Sequence, residues 1–215
     1  MPDAMVSIAV FLAAFSSLFT IMNPFSTVFI FLTITKGNTK KEKVTIAKKA
    51  SITAAVVLVV FGIAGSHILS FFGITIDAFR IAGGIVVAAI GLQMLHSGKK
   101  EFHSHKERKE AIDKEDTSIV PLAIPMISGP GSITTTIVLM DDAATPLDKI
   151  FVIAAIMAVA LICYIVLSRA SAVQRFLGET GRNVIDKIMG LIVLVVGVQF
   201  IINGARNVLL PLLTG

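Results

Sequence analysis

Residues 4–35 read AMVSIAVFLAAFSSLFTIMNPFSTVFIFLTIT, a run of 32 residues without Asp, Glu, Lys or Arg. Roughly 20 apolar residues are enough to cross a bilayer as one helix, so this run is long enough to span. Its interior holds the tetrapeptide NPFS at residues 23–26, where a proline follows an asparagine. The stretch therefore predicts a membrane-spanning helix that is interrupted part of the way across.

The composition of the whole chain agrees with a membrane protein. Of its 215 residues, 55% are hydrophobic and 15% are charged, against about 25% charged in a typical soluble domain. The mean hydropathy is +0.87. A soluble domain of this size cannot bury so much apolar surface, which excludes a soluble enzyme and a disordered chain. The single cysteine excludes an intramolecular disulfide.

Six stretches lack charged side chains, and each predicts one span. They comprise residues 4–35, 50–76, 81–98, 117–140, 150–168 and 188–205. Lipid offers no partner to an open backbone N–H or C=O group, so we expect every span to be helical. The predicted fold is an all-α membrane protein with six transmembrane helices.

The basic residues predict the orientation of these spans. Sixteen of the 19 lie in the loops after spans one, three and five, and the positive-inside rule places those loops in the cytoplasm. Both termini are then outside the cell membrane, and the net charge of +5 requires no nucleic acid as partner. The charged residues 99–116 form a predicted cytoplasmic linker, between a first half at residues 1–98 and a second at 117–215. His103 and His105 in it could bind a metal, but charge-rich loops carry such residues for solubility alone, and we expect that role here.

The two halves align without a gap when the chain is shifted by 106 residues. Pro24 then falls on Pro130, and Ser26 falls on Ser132. The further matches place Gly84, Gly91, Gln93 and Gly98 on Gly190, Gly197, Gln199 and Gly204. We interpret the glycine faces of these two spans as close helix contacts, a structural role. Because each half holds three spans, an odd number, the second half must enter the membrane the other way up. Inverted repeats are common in secondary transporters, whose sites lie at the repeat interface, but some channels also have odd repeats.

Helix-start signals interrupt spans one and four at matching places. Proline suits the first position of a helix, Asn23 is a good N-cap residue, and Gly129 permits backbone conformations that other residues avoid. We therefore predict half-helices that begin at Pro24 and at Pro130, approach each other near mid-membrane, and present free N–H groups and positive dipole ends to a carboxylate. The alternative is a simple proline kink, which membrane helices tolerate.

Polar residues close to these interruptions, and one matched glutamine pair, complete the candidate site. Gln93 and Gln199 could line a cavity or bond to a neighbouring helix. Charged residues at the span ends are expected to be solvated, and no carboxylate is expected deep in a span. The candidate substrate-binding residues are Thr20, Asn23, Pro24, Phe25, Ser26, Ser128, Gly129, Pro130, Gly131, Ser132, Gln93 and Gln199. With no phosphate loop, Cys/His metal spacing or nucleophile elbow in the sequence, we expect no enzyme, cofactor or metal centre.

Four segments together resemble the MarC family of integral membrane proteins over nearly the whole chain. They are residues 23–26, residues 80–84, residues 128–132 and the C-terminal segment from Gly190 to Ile201. The resemblance implies a six-helix protein, and some members are described as transporters of small neutral amino acids. The family's half-helix motifs map onto Asn23, Pro24, Gly129, Pro130 and Gly131.

The sequence and the resemblance together predict a secondary transporter of small neutral amino acids such as glycine or alanine. The carboxylate would lie on the half-helix ends, and backbone carbonyls and hydroxyls would hold the ammonium. Gly129 and Gly131 would leave room only for a small side chain. We expect an ion gradient to drive transport, with protons rather than sodium. An efflux carrier for other small solutes and a channel-like pore remain as alternatives, and the sequence does not determine the oligomeric state.

Overall fold

The computed structural model describes residues 2–96 and 127–214, and all of the regular structure in these ranges is helical. We number the helices in chain order. They are α1 (Pro2–Met22), α2 (Pro24–Ile34), α3 (Lys40–Phe71), α4 (Ile76–His96), α5 (Pro130–Asp142), α6 (Pro146–Ser168) and α7 (Ala170–Thr214). Gly178 lies inside α7 with a positive φ of 61°, so this helix is interrupted near its start.

Five segments of the described chain are long and apolar enough to cross a membrane. They are Ile8–Ile34, Lys40–Phe71, Ile76–His96, Pro146–Ser168 and Thr180–Leu210. The all-helical membrane class predicted from the composition is therefore confirmed, and five of the six predicted spans have a counterpart. The predicted span at 117–140 lies outside the described residues as far as residue 126, and so do the linker 99–116 and both of its histidines.

Exposed apolar faces agree with a lipid environment. On α3 the side chains of Ile52, Val56, Val60 and Ile63 are each more than half exposed, and this spacing places them along one side of the helix. A soluble protein would bury such a stripe, whereas a membrane helix presents it to acyl chains. The outward face of α3 therefore lies where lipid is expected.

Capping boxes define where two of the long helices begin. Thr39 accepts from the backbone N–H of Glu42, whose carboxylate accepts from the Thr39 N–H in return at 2.7 Å. Thr145 and Asp148 form the same arrangement before α6. Each box satisfies two backbone donors that the first helical turn leaves without a partner. These charged helix starts explain why the helices extend beyond the charge-free stretches.

Helices α4 and α7 form the closest helix pair, and glycines make it possible. A Cβ atom built on Gly84 would lie 2.6 Å from the carbonyl oxygen of Gly197, and one built on Gly91 would lie 2.7 Å from that of Gly190. Neither distance leaves room for a side chain, so the glycines have the structural role that the sequence suggested. Because Gly84 meets Gly197 while Gly91 meets Gly190, the two helices run in opposite directions.

A buried core joins α1, α2, α3 and α6. Leu18, Phe31, Leu58 and Ile156 are fully buried in it. Helix α5 packs against α1, α3 and α4 beside this core. Pro24, at the start of α2, consequently lies inside the bundle. At the start of α5, Gly131 and Ser132 are buried, whereas Pro130 is exposed.

Candidate functional site

The first break (residues 23–26) separates α1 from α2 as predicted. Asn23 has a left-handed backbone, with φ 39° and ψ 72°, and α2 begins at Pro24. The Asn23 side-chain oxygen Oδ1 accepts from the Ser26 N–H at 3.3 Å. The predicted N-cap is therefore confirmed, and a continuous, merely kinked helix is excluded at this position.

The same cap occupies backbone donors that the sequence suggested would be free. The Ser26 N–H bonds to the Asn23 side chain, the Asn23 N–H donates to the Phe19 carbonyl at 3.0 Å, and Pro24 has no N–H. Besides the backbone N–H of Phe25, the break has a donor in the amide nitrogen Nδ2 of Asn23, which is buried without a hydrogen-bond partner among the described residues. Asn23 is only 6% exposed, and an unsatisfied buried donor is costly. The first break therefore offers a side-chain amide and fewer free backbone N–H groups than the sequence suggested.

The second break (residues 128–132) is built differently. Helix α5 begins at Pro130 as predicted, and its N-cap Gly129 makes no side-chain hydrogen bond because it has no side chain. The backbone of Gly129 has φ −68° and ψ 176°, a conformation that any residue adopts. The expectation that Gly129 supplies unusual backbone freedom is wrong. Its contribution is to leave the N–H groups of Gly131 and Ser132 without a side-chain cap.

The two breaks are adjacent inside the bundle. A Cβ atom built on Gly131 would lie 3.3 Å from Ile21 Cγ2 and 3.3 Å from Ile90 Cδ1. Ile21 precedes Asn23 by two residues, so the start of α5 packs directly against the last turn of α1. The side chain that Gly131 lacks would meet this apolar wall, which restricts the space at the second break.

Hydroxyl groups near the breaks fall into two sets. Thr20 donates to the Ser16 carbonyl at 2.7 Å, Thr27 donates to the Asn23 carbonyl at 3.0 Å, and Ser132 donates to the Ile127 carbonyl at 3.0 Å. These groups satisfy the backbone of their own segments. By contrast, the Oγ1 atoms of Thr135 and Thr136 are buried and make no hydrogen bond within the described part of the chain.

The other predicted residues lie at varying distances from this centre. Phe25 packs edge-on against Phe19, with ring centroids 6.1 Å apart, and Ser128 is fully buried. Gln93 and Gln199 are both exposed in the described structure. Gln199 donates to Asn203 on its own helix at 2.8 Å. The glutamine pair is thus placed on outer helix faces.

Arg80 corrects the expectation that charged residues at span ends are solvated. It is 5% exposed, and its Nη2 atom lies 2.7 Å from Asp142 Oδ1 and 3.5 Å from Asp141 Oδ2. This ion pair joins α4 to the C-terminal end of α5. A buried arginine with carboxylate partners is costly to separate, because one charge would then remain buried and uncompensated.

A carboxylate also reaches the first break, which the sequence reasoning missed. Ser26 donates its hydroxyl to Asp186 Oδ1, while Arg182 Nε lies 3.5 Å from Asp186 Oδ2. Arg182 in turn lies over the ring of Phe29, 4.7 Å from its centroid. The repeat alignment contained a signal for this residue, because the shift of 106 places Arg80 on Asp186. Because Asp186 lies among charged residues at the end of a span, the sequence analysis assigned it to solvent.

Comparison with known proteins gives a consistent assignment. The family model described as "MarC family integral membrane protein" matches residues 8–209. A UPF0056 membrane protein of Methanocaldococcus jannaschii is 43% identical over 93% of this chain and 98% of its own length. The UPF0056 membrane protein YvbG of Bacillus subtilis is 38% identical, with 93% of this chain and 95% of YvbG covered. YhcE of Escherichia coli is 36% identical over 93% of both chains. No solved structure matches.

Proposed function

The chain belongs to the MarC family of integral membrane proteins, and we propose that it is a secondary transporter of small neutral amino acids in the cell membrane. The observation that carries this proposal is the adjacency of two half-helix starts, of which Pro24 at the first and Gly131 and Ser132 at the second are buried. Discontinuous helices whose N-termini face each other inside a bundle are a recurring way for transporters to bind anionic groups of substrates. Neither start needs a buried lysine or arginine for this purpose.

We assign the substrate carboxylate to the second break. The uncapped N–H groups of Gly131 and Ser132 lie at the positive end of the α5 dipole, and a carboxylate is favoured there. Nearby, the unpartnered Nδ2 of Asn23 supplies a further donor from the first break. A carboxylate between the breaks would accept hydrogen bonds from the backbone of the second break and from the Asn23 side chain of the first.

The remaining groups near the breaks suggest where the ammonium and the side chain of the substrate would bind. The Oγ1 atoms of Thr135 and Thr136, buried without partners in the described structure, can accept from an ammonium, as can backbone carbonyls at the breaks. The apolar wall at Gly131 consists of Ile21, Val87 and Ile90. It limits the substrate to a small side chain, so glycine and alanine fit better than leucine or phenylalanine.

We further propose that the two halves are inverted repeats with both termini outside. The support is the antiparallel α4–α7 pair, in which Gly84 meets Gly197 and Gly91 meets Gly190. Under the shift of 106, Gly84 corresponds to Gly190 and Gly91 to Gly197, so each contact is the symmetry mate of the other. The basic residues in the loops after spans one, three and five support a cytoplasmic linker.

For the driving ion we propose a proton. Sodium would need several oxygen ligands in a defined geometry. The efflux of other small solutes remains the alternative cargo on the same scaffold, and a channel-like pore remains the alternative class.

Reconstitution tests the proposal directly. Liposomes loaded with unlabelled glycine should accumulate external labelled glycine by exchange, with saturation, and an imposed pH gradient should change the initial rate more than a sodium gradient does. Asn23→Ala should reduce this exchange, whereas Ser16→Ala, which removes an exposed hydroxyl on α1, should not. Flux without saturation or exchange would identify a channel. Exchange of other solutes in the absence of glycine exchange would identify the alternative cargo.

A further inference from the structure

The ion pair between Arg80 and Asp142 has a counterpart in the other half of the sequence. The shift of 106 residues relates Asp142 to Lys36 and Arg80 to Asp186. The positions that hold an acid and a base in one half thus hold a base and an acid in the other. The capacity for an ion pair is kept while the signs of both charges are exchanged.

The structure makes one of these two pairs and not the other. Arg80 Nη2 lies 2.7 Å from Asp142, which fixes the end of α5 on α4. Asp186 instead accepts from Ser26 and lies near Arg182, and the Lys36 side chain is exposed. In the repeat alignment Ser26 lies ten residues before Lys36, so Asp186 contacts the opposite end of α2 from the one that symmetry predicts.

The two half-helices therefore differ in register against their partner helices. Thr134 of α5 packs on Gly83 of α4, and the repeat equivalents of these residues are Val28 and Met189. The contacts of Ser26 with Asp186 and of Phe29 with Arg182 place α2 about five residues away from that register. At 1.5 Å of rise per residue this is a displacement of roughly 7 Å, or more than one helical turn.

We infer that Lys36 and Asp186 form an ion pair in a second conformation, in which Arg80 and Asp142 separate. This inference rests on the proposed transport function and on the inverted orientation of the halves. Because the halves are inverted, the two pairs close opposite ends of the path to the breaks. In this structure the pair between Arg80 and Asp142 is formed, which under the proposed topology closes the path to the outside. The pair between Lys36 and Asp186 is not formed, so the path is open towards the cytoplasm.

The exchange between conformations is a sliding of each half-helix along its partner. When α2 slides along α7, the Ser26 hydroxyl leaves Asp186 and the ammonium of Lys36 replaces it. The corresponding slide of α5 along α4 removes Asp142 from Arg80. Interfaces that switch between two sets of ion pairs are an established kind of conformational device. We call the two alternative ion pairs, Arg80 with Asp142 and Lys36 with Asp186, the gate. Because the Ser26 hydroxyl leaves Asp186 when Lys36 arrives, it links the conformation of the first break to the gate.

The inference is tested by cross-linking, without reference to any substrate. In a Cys163→Ala background, Lys36→Cys with Asp186→Cys should form a disulfide on mild oxidation. Adding Arg80→Ala should raise its yield, by roughly threefold or more, because removing the closed pair shifts the population towards the second conformation. Lys36→Cys with Lys187→Cys is the matched control, since Lys187 is the exposed neighbour of Asp186, and its yield should not rise. A yield at Asp186 that stays at the control level with and without Arg80→Ala would overturn the inference.

Charge exchange supplies the second test and separates the two proposals. Lys36→Asp and Asp186→Lys should each slow glycine exchange by about tenfold, and the double variant should recover most of the rate. Lys187→Asp should leave it within about twofold. Failure of the double variant to recover, when it is folded and cross-linking is unaffected by Arg80→Ala, contradicts the gate. If the cross-links respond to Arg80→Ala as expected but glycine is not exchanged, the gate stands and the proposed cargo is wrong.

Discussion

The two breaks fall on each other when the two halves of the sequence are aligned, yet they present different chemistry. At the first, Asn23 adopts a left-handed backbone and caps α2 with its own side chain. At the second, Gly129 adopts an ordinary extended backbone and leaves the start of α5 without a side-chain cap. The first break is capped by a side chain and the second is not, so we call them the closed and the open break. Sequence symmetry therefore predicts where helices start, but the side chains decide which start is capped.

The largest effect is expected from filling the open break. Gly131→Val should weaken glycine binding by about a hundredfold, or ~3 kcal/mol, because its branches would occupy the space against Ile21, Val87 and Ile90. Gly131→Ala is the matched control: its Cβ meets these neighbours at 3.3–3.5 Å, so a small adjustment should keep most of the binding. Isothermal titration with glycine measures both. Equal affinity of the Gly131→Val variant and the wild type would show that the ligand does not lie at this break.

The next largest effect is a difference in the free energy of unfolding between variants of the two N-cap residues, Asn23 and Gly129. Asn23→Ala should lower the free energy of unfolding by about 1–2 kcal/mol, because it removes the cap and places alanine at a positive φ. Gly129→Ala should lower it by less, because alanine adopts φ −68° without strain and no side-chain cap is lost. Thermal unfolding in detergent measures the pair. A larger loss at Gly129 than at Asn23 would reverse the assignment of closed and open breaks.

A smaller effect distinguishes the two serines that the repeat aligns. Ser26→Ala removes the hydroxyl that donates to Asp186, and we expect the rate of glycine exchange to change by about threefold with little change in affinity. Ser132→Ala removes a bond to the Ile127 carbonyl, and we expect a loss of stability of about 1 kcal/mol instead. Equal effects of the two variants on the exchange rate would argue against a special role for Asp186.

Much of the fold follows from local signals in the sequence. Prolines within apolar runs are rare enough to be informative, and both helix starts at Pro24 and Pro130 were predictable because Pro favours the first helical turn. The matched glycines Gly84 and Gly190 predicted close helix contacts, since only glycine permits such an approach. These features depend on residues close together in sequence or on their repeated spacing.

The details of the site depend on contacts that no local pattern contains. Arg80 looks like an interfacial residue in the sequence, and only its packing against α5 shows that it is buried and paired with Asp142. The contact of Ser26 with Asp186 joins residues 160 positions apart. The conformation of Gly129 was mispredicted because glycine permits unusual backbone angles without requiring them. Long-range packing, not propensity, determined each of these outcomes.

Competition between glycine and glycine methyl ester tests the central claim most directly, because the two ligands share the ammonium and differ in the carboxylate. We expect the ester, which offers no negative charge to the α5 N-terminus, to displace labelled glycine at least about a hundredfold less effectively than glycine does. N-acetylglycine, which keeps the carboxylate and loses the ammonium, serves as the complementary ligand and should retain a larger share of the affinity than the ester. Displacement by the ester at the same concentration as glycine would contradict the account, because the open break would then not recognise a carboxylate.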